Sequence, residues 1–260
     1  MASLRSSRSR TAFLWPTASP NTALSYRVND FQAYTPIYPP AYLTWFQSMW
    51  WPPQWGPKTY TTVLQSFMQT SASALDAAGV RYVVVPKGQV PQDTSSQPFD
   101  LKLQTLGHSV TVYRNAASWP MVFVARTLLD ARSNSDLITR IVRQGLPYET
   151  AGVLHGVTRP YSPPKSVRLS YSWKGPNEFT VNTHASSPAF LVALVSFSTG
   201  WRVNIDGRPA RPEMVNGLFT GTWIPKGTAH LIFVFRPKGQ DFGILIGLLG
   251  LFGVIALHTS

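Results

Sequence analysis

Few side chains in this sequence stand in a pattern that could do chemistry. Asp206 could be a catalytic acid and His230 a base, with Asn216 as a third polar candidate. Each has a competing structural reading, and the neighbouring residues favour it. Asp206 precedes Gly207 and Asn216 precedes Gly217, dipeptides that supply the positive φ of a type I′ turn. His230 opens a strand, where a ring nitrogen serves as a hydrogen-bonding group. With 11 Asp and Glu in the whole chain, most at turns or helix starts, no two can be nominated as a glycosidase pair. The 5 His are scattered singly, and no His-Glu-x-x-His, phosphate loop or nucleophile elbow occurs. The lack of Cys excludes thiolate metal sites and disulfides. No catalytic residue, metal site or cofactor is expected.

Aromatic rings form the other reactive set. Trp45, Trp50, Trp51 and Trp55 lie in Tyr34 to Tyr60, a run crowded with Pro and aromatics, and are candidates for glycan contact or for a membrane interface. The alternative is that they pack a loop-rich subdomain, because Pro39-Pro40 and Pro52-Pro53 break regular structure.

The elements that must position these groups are clearest from Phe197 to Pro237. Trp201, Val203 and Ile205 alternate with Arg202 and Asn204, the period of a strand with one buried face, and Asp206-Gly207 turns it. Asn216-Gly217 repeats the turn, Pro225-Lys226-Gly227 makes a third, and Leu231 to Phe235 is an apolar strand closed by Pro237. Upstream, Val167, Leu169, Tyr171 and Trp173 alternate, and Phe179 to Val181 and Phe190 to Phe197 add strands. Short antiparallel strands so closely spaced predict a β-sandwich or jelly roll.

Before a Pro-rich joint at Tyr161 to Pro164 the pattern is mixed. Val63 to Ala78 has helical composition stopped by Gly79, and Val80 to Val85 is a strand. Leu101 to Leu106 and Ser109 to Arg114 form a hairpin about Gly107-His108, and Met121 to Arg126 is another strand. Asn134 to Gln144 is a short helix capped by Ser133 or Asn134. The expected fold is α+β and mainly antiparallel β. Residues 1–28 are a disordered or truncated start, 29–160 an aromatic and Pro-rich α+β subdomain, 161–240 the sandwich and 241–260 a transmembrane segment.

That last assignment rests on Phe242 to Leu257, 16 residues without a charge. A helix of that length spans about 24 Å, against a hydrocarbon core of roughly 30 Å. Gly243, Gly247, Gly250 and Gly253 would weaken a helix in water, whereas in lipid they allow close helix approach. A contact with membrane lipid through this run is therefore expected. Only 13% of residues are charged, so part of the surface should lie against protein or membrane rather than water. The net charge of +12 permits nucleic acid, anionic lipid or acidic glycan as partner, but no nucleic-acid module is visible and none is expected.

The series Phe197, Gly200-Trp201, Asp206-Gly207, Asn216, Phe219-Thr220-Gly221, Ile224-Pro225-Lys226-Gly227, His230 and Phe235-Arg236-Pro237 resembles the C-terminal extracytoplasmic domain of the YfhO family of bacterial membrane proteins. Ala77 to Val85, Val112 to Asn115, Trp119-Pro120 and Phe123-Val124 resemble its preceding segment, so the likeness runs from about Asn29 to Leu257. Thr199 and Phe235 depart from the family's usual Pro and Tyr.

The resemblance implies a membrane glycosyltransferase that takes sugar from a polyprenyl-phosphate carrier, with its catalytic acid in a multi-span region of which this sequence carries no matching motif. What transfers is an extracytoplasmic accessory domain that engages a cell-envelope glycan or lipid-linked sugar. The alternative is a non-enzymatic, membrane-anchored glycan-binding or cell-surface structural module. Arg236 and Lys238 would by the positive-inside rule leave the domain in the cytoplasm, but long domains translocate largely regardless of charge. The resemblance places it outside.

Overall fold

The computed structural model describes residues 9–14, 17, 29–31, 40–49, 69–93, 98–154 and 161–237, with isolated positions 239, 243, 246 and 247. Its first part contains β1 (Arg10–Phe13), β2 (Asn29–Asp30), α1 (Pro40–Met49), β3 (Gln69–Thr70), α2 (Ala72–Ala77), β4 (Val80–Pro86), β5 (Gln92–Asp93), β6 (Leu101–Leu106) and β7 (Val110–Asn115). Then come β8 (Val122–Val124), β9 (Thr127–Ala131), α3 (Asn134–Thr139), a π-helical turn over Arg140–Gln144, and β10 (Thr150–Leu154). The remainder is β11 (Val167–Gly175), β12 (Glu178–Ala185), β13 (Ala189–Ser196), β14 (Trp201–Ile205), β15 (Arg208–Ala210), β16 (Glu213–Val215), β17 (Phe219–Ile224) and β18 (Gly227–Phe235).

The architecture is the expected one, α+β with mainly antiparallel sheets and a sandwich in the C-terminal part. One sheet orders β2-β1-β4-β7-β6, and the sandwich stacks β11-β12-β18-β14-β15 against β16-β17-β13-β8. The inward alternation holds: Phe179, Val181, Val203, Leu231 and Phe233 are buried, and Trp201 packs edge-on to Phe179 while its indole N–H donates to Ser196 O at 3.0 Å. β8 precedes the Pro-rich joint and still pairs with β13.

β13 joins two cores. Its run Ala189 to Val195 is buried throughout, a continuous apolar stretch rather than an alternating one. Leu191, Ala193 and Val195 face the sandwich, while Phe190, Val192 and Leu194 face a second core built with α1, α2, α3 and β4. The four-stranded sheet is therefore a shared wall, covered on both sides.

Four expectations need correction. Residues 10–13, within the stretch expected to be a disordered or truncated start, form a strand between β2 and β4. The reason lies far along the chain: Arg10 Nη1 donates to Ala78 O at 2.5 Å and Nη2 to Leu194 O at 2.6 Å, while Ala12 and Leu14 are buried. Within the supposedly loop-rich Tyr34 to Tyr60, α1 begins at Pro40, because a proline's fixed φ and missing N–H suit the first helical position. Of the helix expected over Val63 to Ala78, residues 69–70 are strand and only Ala72–Ala77 is helical; residues 63–68 lie outside the described residues. Ser71 starts it by accepting from Ala74 N–H at 3.1 Å, and Gly79 with φ +69° ends it as expected. Finally, β9 and β10 are a parallel pair that short, weakly alternating sequences did not announce.

Among the described residues no helix is long and apolar enough to cross a membrane. Phe242 to Leu257 lies outside them apart from Gly243, Ile246 and Gly247.

Candidate functional site

The motif residues separate into an exposed turn and a buried one. At the first, Asp206 and Gly207 take φ of 51° and 81° and connect β14 to β15. The Asp206 carboxylate accepts the backbone N–H of His230 at 2.8 Å, and Asp206 N–H donates to His230 O at 2.9 Å. The His230 ring points elsewhere, with Nδ1 2.7 Å from Asn182 Oδ1. Asp206 thus engages the histidine's backbone and not its imidazole, which is the geometry of a turn lock rather than an acid–base dyad. Gly227 opens β18 with φ +92° and open space around it.

At the second turn Asn216 is completely buried, with φ +52°, and Gly217 follows at +69°. Asn216 Oδ1 accepts Gly152 N–H at 2.7 Å and Nδ2 donates to Thr150 O at 3.1 Å. Its backbone N–H donates to Gly152 O at 2.8 Å, and its carbonyl accepts the Trp45 indole N–H at 2.7 Å. One side chain therefore ties the β16–β17 turn to β10 while its carbonyl holds α1. A Cβ on Gly217 would stand 2.6 Å from Ile138, and one on Gly152 2.4 Å from Leu137, so α3 packs directly on both glycines.

This placement corrects one ligand expectation. Trp45 has no exposed surface and packs edge-on to Phe219 and Phe31, so its ring cannot stack on a sugar. Trp50, Trp51 and Trp55 lie outside the described residues.

Two charged groups that the sequence reading did not single out are drawn into the same interior. The Arg10 guanidinium lies over the rings of Phe31 and Phe219 at 5.4 and 5.8 Å, and burial lowers its pKa to about 10, leaving it charged at neutral pH. Asp76, at 8% exposure, is pushed up to about 6 by burial, against the opposing pull of the Asn115 amide that donates to it at 2.6 Å. The only sequence cue for Asp76 was its place in an otherwise apolar helix. Among the described residues no group of three His, Asp or Glu is placed to hold a metal.

Two concavities open at the seam between the cores. A groove of about 560 Å³ runs between β8 and β11, with apolar walls from Val122, Val124, Val167 and Leu169 and the Arg126–Glu149 ion pair, 2.7 Å long, at its edge. A smaller cleft of about 140 Å³ collects Arg81, Ser118, Trp119 and Tyr171.

Taken together, these features define a β-rich protein with a C-terminal sandwich braced on an α+β unit, its signature residues serving turns and joints. Residues 164–247, the stretch that holds the whole run from β11 to β18, match the family model of the bacterial membrane protein YfhO. The resemblance read from the turn residues is thereby borne out over that stretch, where the chain is similar to this membrane-protein family. No curated protein and no solved structure matches the chain.

Proposed function

We propose that the chain is a membrane-anchored, extracytoplasmic accessory domain of a YfhO-like protein, engaged in modifying a cell-envelope glycan or glycolipid. The observation that carries this reading is the family match over 164–247, which covers every sandwich strand except β8 and reaches into the apolar run beginning at Phe242. A low content of charged residues, 13%, supports placement beside a membrane. In this reading Phe242 to Leu257 contacts lipid and the sandwich presents a glycan or lipid-linked sugar to a catalytic region elsewhere. No residue of the chain is given a catalytic role.

Because the chain has no Cys, a single one can report topology. Lys226→Cys, on an exposed turn, should react with a membrane-impermeant maleimide in intact bacterial cells. Labelling only after lysis would overturn the extracytoplasmic placement.

A further inference from the structure

The small cleft at the seam combines parts from four places, one of them Ser9 just ahead of β1. Arg81 comes from β4, Ser118 and Trp119 from the segment before β8, and Tyr171 from β11 of the sandwich. By strand alternation Tyr171 stands on the same face as Leu169 and Trp173 and pairs with Val181, which is wholly buried, but it does not join the sandwich core on which those two residues pack. It is 42% exposed, since the opposing wall is a cleft where packed side chains would otherwise stand. An aromatic left open on the core side of a strand offers an apolar ring face with a polar tip.

Arg81 is placed by an irregularity. Along β4, Val80 pairs with Arg10 and Tyr82 with Thr11, so Arg81 is the residue left over where the register with β1 shifts. Such bulges re-aim a side chain. Arg81 is exposed and has no ion-pair partner among the described residues. A guanidinium so presented suits a carboxylate or phosphate, which it can hold through two parallel N–H···O bonds. The floor is rigid: Trp119 is 5% exposed, its backbone N–H donates to Asp76 O at 2.9 Å, and its ring packs edge-on to Phe123.

The volume of about 140 Å³ leaves room for part of one sugar unit and its acid group but not for a chain of them. The net charge of +12 draws anions toward the surface. We propose that this cleft binds a single sugar residue bearing an acid group, the ring against Tyr171 and the acid on Arg81. The proposal rests on the glycan reading above and names the ligand class for it.

The test titrates the full chain in detergent micelles with glucuronate, glucose 6-phosphate, glucose and inorganic phosphate, followed by ligand-observed NMR. The acid sugars should bind at least tenfold more tightly than glucose, and the two acid sugars show whether carboxylate or phosphate is preferred. Arg81→Gln should remove that tenfold advantage without changing glucose, and Tyr171→Ala should weaken acid sugars and glucose alike, with both variants still folded because Arg81 is exposed and Tyr171 is no part of the sandwich core. Equal binding of acid sugars to the native chain and Arg81→Gln would overturn the assignment, as would inorganic phosphate binding as tightly as glucose 6-phosphate. Cell-envelope polymer that binds the native chain and both variants equally would refute this cleft while sparing the glycan reading. Absence of binding by every sugar and polymer would overturn both.

Discussion

Asp206-Gly207 and Asn216-Gly217 carry the same sequence signal and the same left-handed backbone, and both use the first residue's side chain to accept a remote backbone N–H. Their surroundings differ completely. Asp206 stands in solvent and locks a hairpin to the strand beside it, whereas Asn216 is sealed between β10, α1 and α3. The lesson is that a hairpin motif specifies a backbone shape and leaves open whether that shape is a surface feature or a joint. Water can replace what Asp206 provides. Nothing can replace what Asn216 provides, since a buried N–H or C=O left without a partner keeps its desolvation cost.

Substitutions should therefore separate the turns. The largest effect is expected from Asn216→Ala, which strands Gly152 N–H and Thr150 C=O inside the protein at about 1–3 kcal/mol each. Denaturant unfolding should show a loss of about 2–5 kcal/mol. A loss below about 1 kcal/mol, the scale of an ordinary surface change, would mean that the joint is not held this way.

The glycines sharpen the contrast. Gly207→Ala meets open space and should cost about 1–2 kcal/mol for the left-handed backbone alone. Gly217→Ala adds a clash with Ile138 at 2.6 Å and should cost a further 1–3 kcal/mol or so. Equal melting temperatures for the two variants would break the comparison.

Asp76 extends the logic of the buried side to an ionisable group. Its folded pKa of about 6 lies above the ordinary aspartate value of 3.8, so the folded protein favours the protonated form. Its contribution is fully present below the unfolded pKa and is lost as pH rises through the folded one, a swing of about 3 kcal/mol at 1.36 kcal/mol per unit. Stability measured from pH 3.5 to 7 should fall across that window in the native chain and much less in Asp76→Asn, whose amide oxygen can still accept from Asn115. Parallel curves would contradict the assignment.

The smallest effect belongs to Asp206→Ala. It removes one exposed hydrogen bond and should cost about 0.5–1.5 kcal/mol.

The difference between the turns also marks how far the sequence could be read. Alternation through Trp201, Val203 and Ile205 set that strand's faces, and the run from Ala189 to Val195, legible only as a strand, proved to be covered on both sides. Positive φ at Asp206 and Asn216 followed from their glycines. The partners of Asn216 did not, because they stand 64, 66 and 171 residues away and no local pattern encodes them. Arg10 was opaque for the same reason, its carbonyl acceptors lying 68 and 184 residues downstream. Tyr171 shows the third limit: its inward phase was legible, but whether anything fills the space before it depends on Arg81 and Trp119. Trp45 looked like a ligand platform because aromatic rings that stack on sugars and rings that fill cores have the same composition signature.

Native-state hydrogen exchange tests the central claim most directly, because Gly152 N–H and His230 N–H donate to the two turn side chains at nearly the same distance, 2.7 and 2.8 Å. If Asn216 is a sealed joint and Asp206 a surface lock, the Gly152 amide should exchange only through global unfolding, and the His230 amide through a local opening of lower free energy. Comparable protection at the two sites, or faster exchange at Gly152, would contradict the account.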